Sequence, residues 1–368
     1  MRRLVLLSFV VGGCGPAPLG APCPPLVESA TPEMAPAASG GVFVYGPEGL
    51  PEGTFLHRFD AAGALAWTVT APPLADPLAY RAFFAVGDTL FSIEEKHISG
   101  YIFAAIRDGA IVFTVDAPYD CRLYRFETEP DGDGLRVYGT GSDHLCSYRI
   151  GADGTFSDLL AFDVAGAYHV RRAPSGGYLL TNGEGVIRYD AGAQRLWTHA
   201  GHFASALESA GAIFAFRDDD PGETLVSIGS DGQGERALTA ILGGDTFTAP
   251  LADGLLVAAQ EDYGDARQLV RVTPAAVVWS QSPDALAGAP VTGLSLGTGA
   301  FVVRGHQLVA YDLDGNLLWR ATRPVAAVMG ADDRARVADD ALLDPCRAVL
   351  RVSTLDESGN VAASWSAR

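Results

Sequence analysis

The sequence predicts an all-β fold, an eight-bladed β-propeller of four-stranded antiparallel blades, and three observations predict it. The chain has 368 residues and is 48% apolar, yet it carries 43 Gly and 22 Pro, so a core is assured while turns are too frequent for long helices. Its five tryptophans, Trp67, Trp197, Trp279, Trp319 and Trp365, each follow a turn by four to six residues. Between them lie degenerate copies of the same segment, so that eight copies run from Gly63 to Gly359 with a period of about 42 residues, as expected of a propeller blade.

The copies share one grammar. A short β-prone run comes first, then a Gly or Asp turn, then a stronger run such as Gly254–Ala259 or Ala300–Val303. A variable loop leads to a run such as Leu308–Asp312, an Asp-Gly turn and the Trp-bearing run. Tyr311-Asp312-Leu313-Asp314-Gly315-Asn316-Leu317-Leu318-Trp319 is the clearest copy; Arg107-Asp108-Gly109 before Phe113, Ala152-Asp153-Gly154 before Leu159 and Ser230-Asp231-Gly232 before Leu238 are the degenerate ones. Four strands joined by short turns make one antiparallel sheet. A single sheet cannot cover both its faces, so neighbours stack, and a closed ring removes the exposed end faces. A Trp on the outermost strand fills the wider part of the gap between blades.

The N-terminal segment reads as an address. Arg2-Arg3 precede an apolar run from Leu4 to Val11, then Gly12-Gly13-Cys14. That is the pattern of a secretory signal, and its apolar run is far short of the ~20 residues of a membrane-spanning helix. Val11-Gly12-Gly13-Cys14 resembles the lipobox of bacterial lipoproteins, which implies cleavage after residue 13, lipidation at Cys14 and anchoring in a bilayer. Gly15 in place of Asp points to the outer membrane in that family. Residues 14–33 form a Pro/Ala-rich tether, and residues 34–368 the propeller.

Composition excludes one class of partner. The net charge is −18, and Lys96 is the single lysine, so phosphate-led nucleic-acid binding is not expected. In a propeller the loops joining strands two and three of every blade open on one face. These loops gather Glu94, Glu95, Asp143, Asp218, Asp219, Asp220, Glu261, Asp262, Asp339 and Asp340, so this acidic loop face is expected to take a protein or cationic ligand.

Catalytic and metal motifs are thin. Gly293-Leu294-Ser295-Leu296-Gly297 fits a nucleophile elbow, but no helix pattern follows it, and its glycines read as hairpin residues. His199 and His202 are three apart in a blade-connecting loop without a third ligand at a recognisable spacing. Asp131-Gly132-Asp133-Gly134 and Asp312–Asn316 echo calcium loops but lack the distal Glu, so they read as hairpin turns. No metal and no cofactor is expected. Four cysteines remain after Cys14, and export favours their oxidation. The expected pairs are Cys121–Cys146, within blade three, and Cys23–Cys346, joining the tether to blade eight.

The repeat resembles the pyrroloquinoline-quinone-type propeller repeat, a strand ending Ala-x-Asp followed by Gly-x-x-x-Trp, over residues 34–368. With the lipobox, the architecture also resembles the propeller lipoprotein of the outer-membrane β-barrel assembly machinery. The resemblance implies a lipid-anchored, non-catalytic binding or scaffold protein of the bacterial envelope. Two other functions stay open: an enzyme acting in the central funnel on a saccharide or a quinone-linked alcohol, and an assembly factor for outer-membrane proteins.

Overall fold

The computed structural model describes residues 33–45, 55–70, 81–96, 100–118, 125–140, 145–164, 169–219, 222–261, 266–283, 286, 291–304, 307–321, 326–329, 335–344, 347–355 and 361–366. All of them but Leu286 belong to strands and their connections, and the 32 strands form eight four-stranded antiparallel sheets. Each sheet is built from four consecutive strands in sequence order. The first strands of neighbouring sheets pack side by side around a central axis: β1 (Glu33–Pro36), β5 (Arg81–Val86), β9 (Arg125–Asp131), β13 (His169–Arg172), β17 (Phe203–Ser209), β21 (Thr246–Leu251), β25 (Gly293–Leu296) and β29 (Ala326–Met329). β29 packs against β1, so the ring is closed. The architecture is a β-propeller. No helix among the described residues is long and apolar enough to cross a membrane.

Burial follows radial position. The second strand β22 (Gly254–Gln260) is buried along its length except at Gln260, and β15 (Gly185–Tyr189), a third strand, is buried throughout. Both faces of these strands meet a neighbouring blade, so they read as short continuous apolar runs. Fourth strands alternate, as in β16 (Arg195–Ala200), because one edge and part of each face meet solvent. Between blades three and four the core gathers Tyr138, Phe162, Tyr178, Leu180, Ile187 and Tyr189. Between blades four and five it gathers Leu179, Val186, Phe203, Ile213 and Val226.

The expectation of eight equivalent copies is corrected. Seven blades conform to one pattern, with strands of four to eight residues, while the eighth contains β30 (Ala335–Asp344) and β31 (Arg347–Leu355), of ten and nine residues. In blades one, four, six and seven the Trp lies directly before the step where the outer pair shifts register, opposite Arg58, Arg188, Arg271 and Ala310. In blade eight that place belongs to Ala363, and Trp365 sits two residues further on, opposite Val352. The five Trp therefore share a strand but not one register. The long hairpin of β30 and β31 also overturns the reading of Asp339 and Asp340 as loop residues, since they pair with Arg351 and Leu350 in mid-strand.

The Trp has a fixed partner in the next blade. A Cβ added to Gly109 would lie 3.1 Å from Trp67, to Gly154 2.7 Å from Phe113, to Gly232 2.6 Å from Trp197 and to Gly315 3.2 Å from Trp279. All four glycines have positive φ, from 76° to 84°. The turn glycine is thus required twice, by its left-handed backbone and by the ring of the preceding blade. Blades four and six carry Ala193 and Ala275 in place of the turn Gly. The sequence repeat is a record of this contact.

Candidate functional site: a cleft between blades four and five

The cleft opens on the face where the loops between second and third strands emerge. It has a volume of about 350 Å³ and is lined by His169, Asn182, Gly183, His202, Phe203, Ala204 and Asp218. Blade four supplies His169, the first residue of β13, and the turn between β14 (Tyr178–Asn182) and β15. Blade five supplies the start of β17 and Asp218 near the end of β18 (Ala212–Asp219). Gly201 sets the approach to β17: its φ is 150°, and a Cβ there would lie 2.7 Å from the Phe203 ring. The Asp218 amide donates to the His202 carbonyl at 2.9 Å and closes the rim of blade five.

Two of the lining side chains are locked. Asn182 Oδ1 accepts the Glu184 and Gly185 amides at 2.8 and 3.3 Å, which leaves its NH2 group as the remaining donor. His169 Nδ1 lies 2.5 Å from Glu127 Oε1 of blade three, and Glu127 Oε2 accepts the Val170 amide at 3.2 Å. In the neutral ring the proton sits on Nδ1 facing the carboxylate, and Nε2 is an acceptor. Deeper in the seam between blades four and five, buried Arg188 pairs with buried Glu208 at 3.3 Å, and Ser175 bonds both.

Behind His169 runs a row of carboxylates that sequence reasoning missed. Glu127, Glu129 and Asp131 alternate along β9 and face the edge of β13. Glu129 accepts the Arg172 amide at 3.2 Å and the Tyr138 hydroxyl. Asp131 holds Arg136 at 2.7 Å and also pairs with Arg172. Burial pushes the Glu129 carboxyl above its usual range, outweighing the Tyr138 and Arg172 hydrogen bonds. Burial also works to raise Asp131, but there the two guanidinium groups win and hold it below the usual range. The signal available in the sequence was spacing: Glu127 and His169 are 42 residues apart, one blade period.

The expected site residues divide. Asp218 is exposed at the cleft, whereas Asp219 is spent on Arg217 at 3.0 Å, and Arg217 also meets Glu235. Glu94 and Glu95 end β6 (Thr89–Lys96), and Glu261 is exposed just after β22. Asp143, Asp220 and Asp262 lie outside the described residues, as do Cys14, Cys23, Cys121 and Cys346. Cys146 on β11 (Leu145–Ile150) is buried and disulfide-bonded, with its partner outside the described residues. The opposite face also carries carboxylates, but these fasten their own turns: Asp60 accepts the Ala64 amide, Asp190 the Gly192 and Gln194 amides, and Asp312 the Asn316 amide. What singles out the cleft is therefore its locked polar groups rather than an excess of charge.

The motifs weighed for chemistry resolve as structure. Gly293–Leu296 is the inner strand β25, and with Gly297 in the turn it forms a hairpin with β26 (Ala300–Arg304), with no helix behind it. His199 is in strand β16, not in a loop, and bonds the Gly232 carbonyl at 3.0 Å and Glu235 at 2.8 Å, away from His202. Asp131 and Asp133 serve Arg136 and Arg149. Among the described residues no group of three His, Cys, Asp or Glu could hold a metal ion.

Fold and cleft together define the chain as a β-propeller with a ligand-sized opening on one face. No protein-family model and no curated sequence matches it. Among solved structures it is similar to the dihydro-heme d1 dehydrogenase NirN in complex with DHE, at 14% identity and TM-score 0.54 over 79% of this chain and 66% of that one. It is similar to a eukaryotic initiation factor at 10% identity and TM-score 0.51 over 92% and 88%. BamB from Moraxella catarrhalis aligns at 14% identity and TM-score 0.48 over 89% and 94%. At such identities the likeness is one of fold.

Proposed function

We propose that this chain is a lipid-anchored β-propeller of the bacterial envelope that acts as a non-catalytic binding scaffold, engaging its partner through the face that carries the cleft. The observation that carries this reading is the cleft itself, an opening between two blades whose Asn182 and His169 side chains are fixed by hydrogen bonds. The anchor is supported by Val11-Gly12-Gly13-Cys14, and the tether by the proline-rich segment after it. The Glu127–His169 pair resembles half of a catalytic device, a carboxylate orienting an imidazole. Among the described residues no hydroxyl or thiol is bonded to His169, which favours binding over nucleophilic catalysis.

Site-specific photo-crosslinking in cells tests the face. A crosslinker at Gly183 should capture a partner, while one at Asp231, in a turn on the other face, should not. Equal capture from both positions, or none from Gly183, overturns the reading. Cys14→Ser should release the protein from the membrane fraction, and undiminished labelling of that variant by a palmitate analogue overturns the anchor.

A further inference from the structure

We infer that the cleft between blades four and five is a saccharide site that takes a pyranose through its hydroxyl groups; the inference rests on reading this face as the binding face. With the His169 ring neutral, its walls present a fixed donor, the Asn182 NH2, and an acceptor, the His169 Nε2. Asn182 spends its oxygen on two backbone amides and offers only NH2. His169 spends Nδ1 on Glu127, and Nε2 is the ring's remaining hydrogen-bonding atom. A hydroxyl group donates and accepts at once, so it matches both. An ammonium or guanidinium group only donates and would leave the Asn182 NH2 unmatched. A phosphate or carboxylate only accepts, and would face the lone pair of His169 and the carboxylate of Asp218. Among the described residues no Lys or Arg lines the cleft to favour an anion. The volume of about 350 Å³ is at the small end for ligand pockets and suits one or two sugar rings.

In this site His169 is the binding residue and Glu127 its positioning residue, because Glu127 sets which ring nitrogen carries the proton. His169 is partly exposed and outside the packed core, so His169→Phe should keep the fold.

The experiment titrates the full chain with methyl glucoside, methyl galactoside, methyl mannoside and N-acetylglucosamine, and separately with detergent-dispersed lipopolysaccharide, while following the ring nitrogens of His169 by NMR. A shift at Nε2 with at least one of these supports the site, and the arm that produces it tells a free sugar from a membrane glycan. His169→Phe should weaken that binding about tenfold, the loss of one good hydrogen bond. Glu127→Gln should move the ring from a single Nδ1–H tautomer to a mixture, a signature that a purely structural role would not give. No shift from any sugar or from lipopolysaccharide overturns the inference. So does equal binding by the His169→Phe variant, or a preference for spermidine or inorganic phosphate over every sugar. Crosslinking from Gly183 is independent of these readouts, so a scaffold that binds protein without sugar fails this inference alone.

Discussion

At the scale of single residues, strain and paired charge make separate predictions. β17 and β18 are joined by the two-residue turn Ala210–Gly211, with φ of 52° and 73°. Both positions are left-handed, as in a type I′ turn, and the equivalent-looking Asp108–Gly109 turn has φ of 50° and 76°. Ala at the first position costs about 1–2 kcal/mol relative to a residue that tolerates this region. Ala210→Asn should therefore stabilise the chain by about 1 kcal/mol, read as a rise in Tm; an unchanged or lower Tm refutes the turn geometry. Asp131 carries a different load, because Arg136 is buried and leans on it. Asp131→Asn should cost about 3 kcal/mol near neutral pH, the scale of breaking a buried pair. The sign with pH follows from the shifts. Asp131 is held below its unfolded pKa, so its stabilisation is present above about pH 4 and is lost as pH falls through the folded value. Glu129 is raised, so its contribution has the opposite sense, present below its unfolded pKa and lost as pH rises through the folded one. Urea unfolding of both proteins across the acid range should show the penalty of Asp131→Asn shrinking as pH falls. A constant difference would mean that the carboxylate charge is not what Arg136 uses.

At the scale of elements, the outer strand and the turn of the next blade form the unit that the sequence repeats. The run read as Leu308–Asp312 is strand β27 with those same bounds, because Gly and Asp mark both its ends. The turn glycines were legible for the same reason, as Asp-Gly pairs. The carboxylate row on β9 was not. Arg125–Asp131 is polar and contains Pro130, so local pattern argues against a strand; what satisfies its side chains is the edge of β13, a contact visible only once blades are stacked. The acidic loop face was half legible: the sequence places Asp218 at the rim, but it cannot tell that Asp219 is neutralised by Arg217. The Trp–Gly contact itself is testable by a double-mutant cycle. Gly232→Ala should cost about 2–4 kcal/mol, from left-handed backbone and from crowding against Trp197. In a Trp197→Ala background only the backbone part, about 1–2 kcal/mol, should remain. Strict additivity of the two substitutions would show that Gly232 is kept for its backbone alone.

At the scale of the whole molecule, the question is what holds the ring shut. Among the described residues every sheet is made of consecutive strands, so blade one contains no described strand from the C-terminal end and blade eight none from the N-terminal end. Among the described residues the seam between β29 and β1 is therefore closed by packing between sheets, without a backbone ladder shared across it. A ring closed this way opens at the cost of a single interface, and a covalent tie across that interface would have a large effect. Cys23 and Cys346 are suited to supply it. Cys23 stands ten residues before β1 in the sequence, and Cys346 falls in sequence between β30 and β31 of blade eight, the blade whose β29 packs against β1. Ten residues reach at most ~33–36 Å, enough to cross from one blade to its neighbour. Such a bridge would enclose more than 300 residues, and loop entropy sets its contribution near ~5 kcal/mol as an upper value. Non-reducing peptide mapping of the exported protein should recover a Cys23–Cys346 peptide. The Cys23→Ser variant should unfold at lower denaturant with a larger relative loss of amide protection in blades one and eight than in blade five. Cys23 recovered as a free thiol, or bridged to Cys121 or Cys146, would overturn the latch, and protection lost evenly around the ring would show that the seam is no weaker than the other interfaces.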